Sequence, residues 1–109
     1  MEKKKRSITL LYNNSNVNNT ITLNNAFTNY DEIEILVHRG TNMTNHFMSY
    51  RFSKEVLNEL IGSILFFAVG GTSQYCQYKV TNTTTLTLDG NQNGTCIAKV
   101  YGIKYQIVI

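Results

Sequence analysis

Residues 30–39, Tyr-Asp-Glu-Ile-Glu-Ile-Leu-Val-His-Arg, closed by Gly40, leave few options for the backbone. Ile33, Ile35 and Val37 fall on one side at a two-residue period, while Glu32, Glu34 and His38 fall on the other, the pattern of a half-buried sheet strand. A helix would set Glu34 into the same stripe as Ile33 and Val37, and β-branched residues are stiff in helices. The segment therefore reads as a central strand, and the same period recurs along the rest of the chain.

Taken from the start, Ile8, Leu10 and Tyr12 alternate with Ser7, Thr9 and Leu11 before residues 13–16 supply Asn-rich turn chemistry. Alternation resumes over 17–23, so the spacing predicts a hairpin of the first two strands. Residues 24–29 read as a loop with Phe27 as its plug into the core. Beyond the organising strand, residues 40–45 form a loop, and 46–52 set Met48, Tyr50 and Phe52 against Phe47, Ser49 and Arg51 in another strand. Ser53 then caps a short helix with Glu55 in its first turn, an apolar stripe of Val56, Leu57, Leu60 and Ile61, and Gly62 as its end. Residues 63–69 and 72–81 flank Gly70-Gly71, which predicts a hairpin with a two-residue turn. A strand over 83–88, the two turn dipeptides of residues 89–94 and a long final strand from Thr95 to Ile109 complete the series. Gly102 predicts a bulge or the close approach of another chain's backbone. The expectation is an all-β protein: an antiparallel, jelly-roll-like sandwich of seven to eight strands with one short helix.

Composition supports this reading. Asn and Thr make up about a quarter of the 109 residues and proline is absent, which suits short strands joined by Asn-rich loops, while 42% hydrophobic residues argue against disorder. One domain, residues 7–109, suffices at this length. The net charge of +3 comes from residues 2–6, Glu-Lys-Lys-Lys-Arg, because the six later basic residues balance six acidic ones. Residues 1–6 read as a basic flexible tail, and the scattered cations of the body argue against nucleic-acid binding. The longest apolar run, around residues 64–69, is shorter than the roughly 20 residues a bilayer span takes, so no membrane insertion is expected. No secretory leader follows residues 1–6. The Asn-x-Ser/Thr patterns at Asn13, Asn18, Asn42, Asn82 and Asn93 then read as chance products of an Asn/Thr-rich chain.

No motif for chemistry emerges, so the chain is read as a non-enzyme without a cofactor. Cys76 and Cys96 lack a CxxC or Cys/His cluster and read as buried free thiols, with a disulfide between adjacent strands left open. His38 and His46 flank one loop and with Asp31 or Glu34 could approach a metal set, but a third ligand is not placed and both read as surface histidines. Glu32 and Glu34 share a strand face about 7 Å apart, a spacing a glycosidase pair could have, though solvation explains them. Gly70-Gly71 lacks the lysine and the strand-to-helix context of a phosphate loop. Tyr75, Tyr78, Tyr101 and Tyr105 are the suggestive set, joined by His46: tyrosine on a rigid sheet offers contact area with a polar end, useful toward proteins or sugars, although core packing accounts for the tyrosines equally well.

Three segments carry a resemblance. Ile8-Thr9-Leu10-Leu11-Tyr12-Asn13 leading into Ile21-Thr22-Leu23, Phe27 through Tyr30-Asp31-Glu32-Ile33-Glu34-Ile35, and Ile97-Ala98-Lys99-Val100-Tyr101-Gly102-Ile103-Lys104 resemble the small β-sandwich domain at the C-terminal ends of bacteriophage tail and other virion fibre proteins. The resemblance implies a structural and binding role in the virion, often as a homotrimer, at a tail or head fibre or as a decoration. It further implies contacts with other virion proteins and with a host surface receptor or glycan. The Lys-rich start and the absence of a fibrous or heptad region depart from that pattern. Two other readings are a small phage-encoded protein binding a host protein or signalling ligand inside the cell, and a carbohydrate-binding module using exposed tyrosines.

Overall fold

The computed structural model describes residues 3–40, 45–69 and 74–108. Eight strands among them form two antiparallel sheets. In chain order these are β1 (Lys3–Asn13), β2 (Thr20–Thr22), β3 (Glu32–His38), β4 (Phe47–Ser53), β5 (Ile64–Ala68), β6 (Tyr75–Val80), β7 (Thr85–Asn91) and β8 (Cys96–Val108). A 3-10 turn at Phe27–Asn29 precedes β3, and the helix α1 (Lys54–Glu59) joins β4 to β5. One sheet runs β1-β8-β3-β4 and the other β2-β7-β6-β5. First beside last and second beside seventh is a nested, jelly-roll type of wrapping, while β3–β4 and β5–β6 remain hairpins within a sheet.

The alternation in residues 30–39 decides the packing. Ile33, Ile35 and Val37 are buried against Leu11, Ile21, Phe67, Tyr78, Val80, Leu86 and Val100, contributed by both sheets. Burying an aliphatic or aromatic side chain contributes about 1.5–3 kcal/mol each, and laying the two sheets face to face buries all of these. β3 is central, flanked by β8 and β4. Phe27 is buried as expected, its N–H donating to the Thr83 carbonyl at 2.9 Å. Ser53 caps α1, its Oγ accepting from the Val56 N–H at 3.2 Å, and Gly62 follows with φ +92°. Only part of the helix stripe is used: Leu57 is buried, whereas Val56 and Ile61 are exposed.

Five expectations are corrected. β1 and β2 do not pair; they lie in different sheets, and the loop between them crosses the sandwich, with Asn14 N–H donating to Ala98 O and Leu88 N–H to Asn19 O, both at 2.8 Å. The reason is length: an eleven-residue β1 finds its match in the thirteen-residue β8, not in a three-residue β2. Residues 3–6 are not a loose tail but the start of β1, paired with Tyr105–Val108. Residues 89–91 belong to β7, and the tight turn is confined to 92–94, where Asn93 (φ 54°) and Gly94 (φ 76°) take left-handed backbone. β6 begins at Tyr75 and leaves out Gln74, which the expected strand included; residues 72–73, the Gly70-Gly71 turn and most of the loop after Gly40 lie outside the described residues. Gly102 forms no bulge, pairing in register with Thr9 and Ile33; an added Cβ would lie 2.5 Å from Cγ of Tyr30, whose ring covers it.

Candidate functional site

Register builds the most organised polar face. β3 and β4 pair Glu34 with Arg51 and Leu36 with Ser49, while β8 sets Ile103 beside Glu32 and Tyr101 beside Glu34. On this outer face Arg51 bridges the two carboxylates, Nη2 lying 2.9 Å from Glu34 Oε2 and Nη1 3.8 Å from Glu32 Oε1. Ser49 Oγ donates to Glu34 Oε2 at 3.0 Å, and the Tyr105 hydroxyl donates to Glu32 Oε1 at 2.6 Å. The Tyr105 N–H also donates to Asp31 Oδ2 at 2.7 Å, tying β8 to the entrance of β3. The hydrogen bond to Glu32 raises the Tyr105 phenol above its usual range, and that to Glu34 raises the Arg51 guanidinium. Both groups are exposed to solvent, so the network fixes side-chain directions more than it stabilises the fold. A glycosidase pair needs one free acid and one free base. Here one guanidinium spans both carboxylates, so neither stands free of a cationic partner. Beside it Lys99 Nζ lies over the Phe47 ring at 5.9 Å.

The expected tyrosine set is divided. Tyr105 belongs to this face and Tyr101 lies half-buried on β8 in the same sheet. Tyr75 is on β6 in the other sheet, stacked on Phe66 with ring centroids 5.2 Å apart and planes 19° off parallel. Tyr78 is no surface residue at all: it is 0% exposed, and its hydroxyl accepts from the Ile97 N–H at 3.2 Å. Burial raises its phenol well above the usual range. On β6 the side chains of Tyr75 and Tyr78 are an odd number of residues apart and so leave opposite faces of the strand. His46 is exposed, its carbonyl accepting from the Arg39 N–H at 2.9 Å. The side chains Ser49 and Arg51 are the part sequence reasoning missed. Their signal was cross-strand register, which the β3–β4 loop length alone could have supplied.

His38 is also corrected, being 1% exposed rather than on the surface. Its Nε2 lies 2.7 Å from the Ser15 carbonyl, which can only accept, so Nε2 carries the proton; Cys96 Sγ lies 3.2 Å from the same nitrogen. Both cysteines are free and buried. Burial pushes the Cys76 thiol up to about 12 and the Cys96 thiol up to about 11. Neither is a thiolate near neutral pH, so neither is an activated nucleophile. Among the described residues no group of three or more His, Cys, Asp and Glu side chains is placed to hold a metal, and no helix is long and apolar enough to cross a membrane.

No family model matches the chain, and no curated protein matches it.

Proposed function

We propose that this chain is a bacteriophage virion structural protein, a tail or head fibre or decoration domain that works by binding, to other virion proteins or to a host receptor, and performs no catalysis. The observation that carries this reading is the Tyr105–Glu32–Arg51–Glu34–Ser49 network. It consists of exposed charged and aromatic side chains held in fixed directions on a rigid sheet, which suits contact with low ordering cost. The three segments that resemble virion fibre domains support it, and residence in the virion and association with further copies follow from the same resemblance. Quantitative mass spectrometry of purified particles tests it: the chain is expected at a fixed ratio to the other virion proteins. Its absence from particles made in cells that contain the chain would remove the reading in favour of a host-directed binding protein.

A second reading, a carbohydrate-binding module, is favoured by the Phe66–Tyr75 stack, because an exposed Phe66 ring backed by the half-buried Tyr75 is a surface on which a sugar ring can lie. A glycan array separates it: no bound glycan, or bound glycans retained by Tyr75→Ala, would exclude that stack as the site.

A further inference from the structure

The sandwich has four open edges, β1, β4, β2 and β5, and an unguarded edge is a template for another strand. Three are guarded. β1 carries the exposed Lys5 and Arg6, β4 carries Arg51, and β2 is three residues long. β5, Ile64-Leu65-Phe66-Phe67-Ala68, has neither charge nor polar side chain.

Along an antiparallel strand the N–H and C=O of one residue point to the same side, and sides alternate. Val80 N–H donates to Ser63 O at 3.0 Å and Val69 N–H to Gln74 O at 2.8 Å, so residues 63, 65, 67 and 69 face β6. Ile64, Phe66 and Ala68 therefore face the open edge. Ala68 is closed off by Tyr50, whose hydroxyl donates to the Ala68 carbonyl and accepts from its N–H at 3.0 Å. Ile64 and Phe66 are left with outward backbone groups and with side chains 51% and 57% exposed.

We propose that β5 pairs antiparallel with β5 of a second copy about a two-fold axis at Leu65, setting Ile64 of each copy against the partner's Phe66. Each of these pairs then exchanges both backbone hydrogen bonds, and the two sheets join into one. The open length suits this occupant: Ile64 and Phe66 are the outward residues before Tyr50 closes the Ala68 end, and the two-fold uses both of them in each copy. Charge agrees as well. On β6, Lys79 neighbours Ile64 and Gln77 neighbours Phe66, so the two-fold puts one lysine at opposite ends of the two rows and brings no like charges together. The inference goes beyond the virion reading, which expects further copies but assigns their contact to no surface, and it is compatible with a three-fold association through another surface.

Sedimentation equilibrium at micromolar concentration tests it on the full chain. The unaltered protein is expected to assemble in even numbers of chains, and Phe66→Lys to weaken that assembly at least about tenfold with an unchanged far-ultraviolet spectrum. Ile64→Lys combined with Phe66→Glu is expected to restore it, because each lysine then faces the partner's glutamate. A monomer contradicts both the pairing and the homo-oligomeric part of the virion reading. A trimer indifferent to Phe66→Lys overturns the pairing alone. A double variant as dissociated as Phe66→Lys overturns the register.

Discussion

Tyr30 lies so close on Gly102 that a single added atom would spoil the fit. Adding a Cβ at Gly102 drives into the ring at 2.5 Å, so Gly102→Ala is expected to destabilise by about 1–3 kcal/mol, read as a lowered denaturant midpoint. Tyr30→Ala in the same background should recover part of that loss, since the obstacle is then gone. The thiols supply a pH dependence. Cys76 moves from an ordinary 9.0 to about 12 on folding and Cys96 from 9.0 to about 11, so between these limits the unfolded chain has lost protons that the folded chain keeps. Folded-state pKa values raised in this way give stability that is full below pH 9 and declines as pH climbs toward the folded values. Unfolding midpoints measured from pH 8 to 11 are expected to fall, and to fall less steeply in Cys76→Ala than in the unaltered chain. His38 shows why polarity alone misleads at this scale. Its place in the alternation of β3 points it outward, yet the 13–19 loop folds back so that the Ser15 carbonyl covers it. A strand pattern does not report which loop returns over it.

Within elements, what could be read from the chain was what depends on neighbours in sequence. The period of β3, the Ser53 cap and the β5–β6 hairpin all follow from local spacing and were anticipated. Pairing between distant segments was not, because period-two strands declare which face is buried and not which strand lies alongside. The hairpin expected of residues 7–23 failed for that reason, as did the assignment of Lys3–Arg6 to a tail. From Lys104 onward β1 is the strand neighbour of β8 among the described residues, so the pairing of Lys3–Ser7 with Lys104–Val108 is a two-stranded ribbon, with Lys5–Ser7 and Lys104–Ile107 exposed on both faces. Such ribbons are marginal on their own. Hydrogen exchange is expected to be fast across the ribbon and slow in β3 and in the Val100–Ile103 part of β8; equal protection in both would contradict this arrangement. Tyr50 has a comparable role at the far edge. Tyr50→Phe removes both hydrogen bonds to Ala68 and is expected to cost about 1 kcal/mol in thermal or denaturant unfolding.

At the level of the whole molecule, one strand joins the fold to the candidate site. β8 pairs with β1 on one side and β3 on the other, and it carries Tyr105 to Glu32 and Asp31, so the outer-face network exists only if β8 lies between them. The tyrosines illustrate the limit of composition: topology separates four residues of one type into the core member Tyr78, Tyr75 stacked on Phe66 in the same sheet, and Tyr101 and Tyr105 on the other. Nuclear Overhauser contacts across the strands measure this order directly. The structure predicts cross-strand contacts from Val100 to Ile35 and from Tyr101 to Leu10 within one molecule. Contacts between residues 8–12 and 20–23 in hairpin register, with none from β8 to β3, would contradict it.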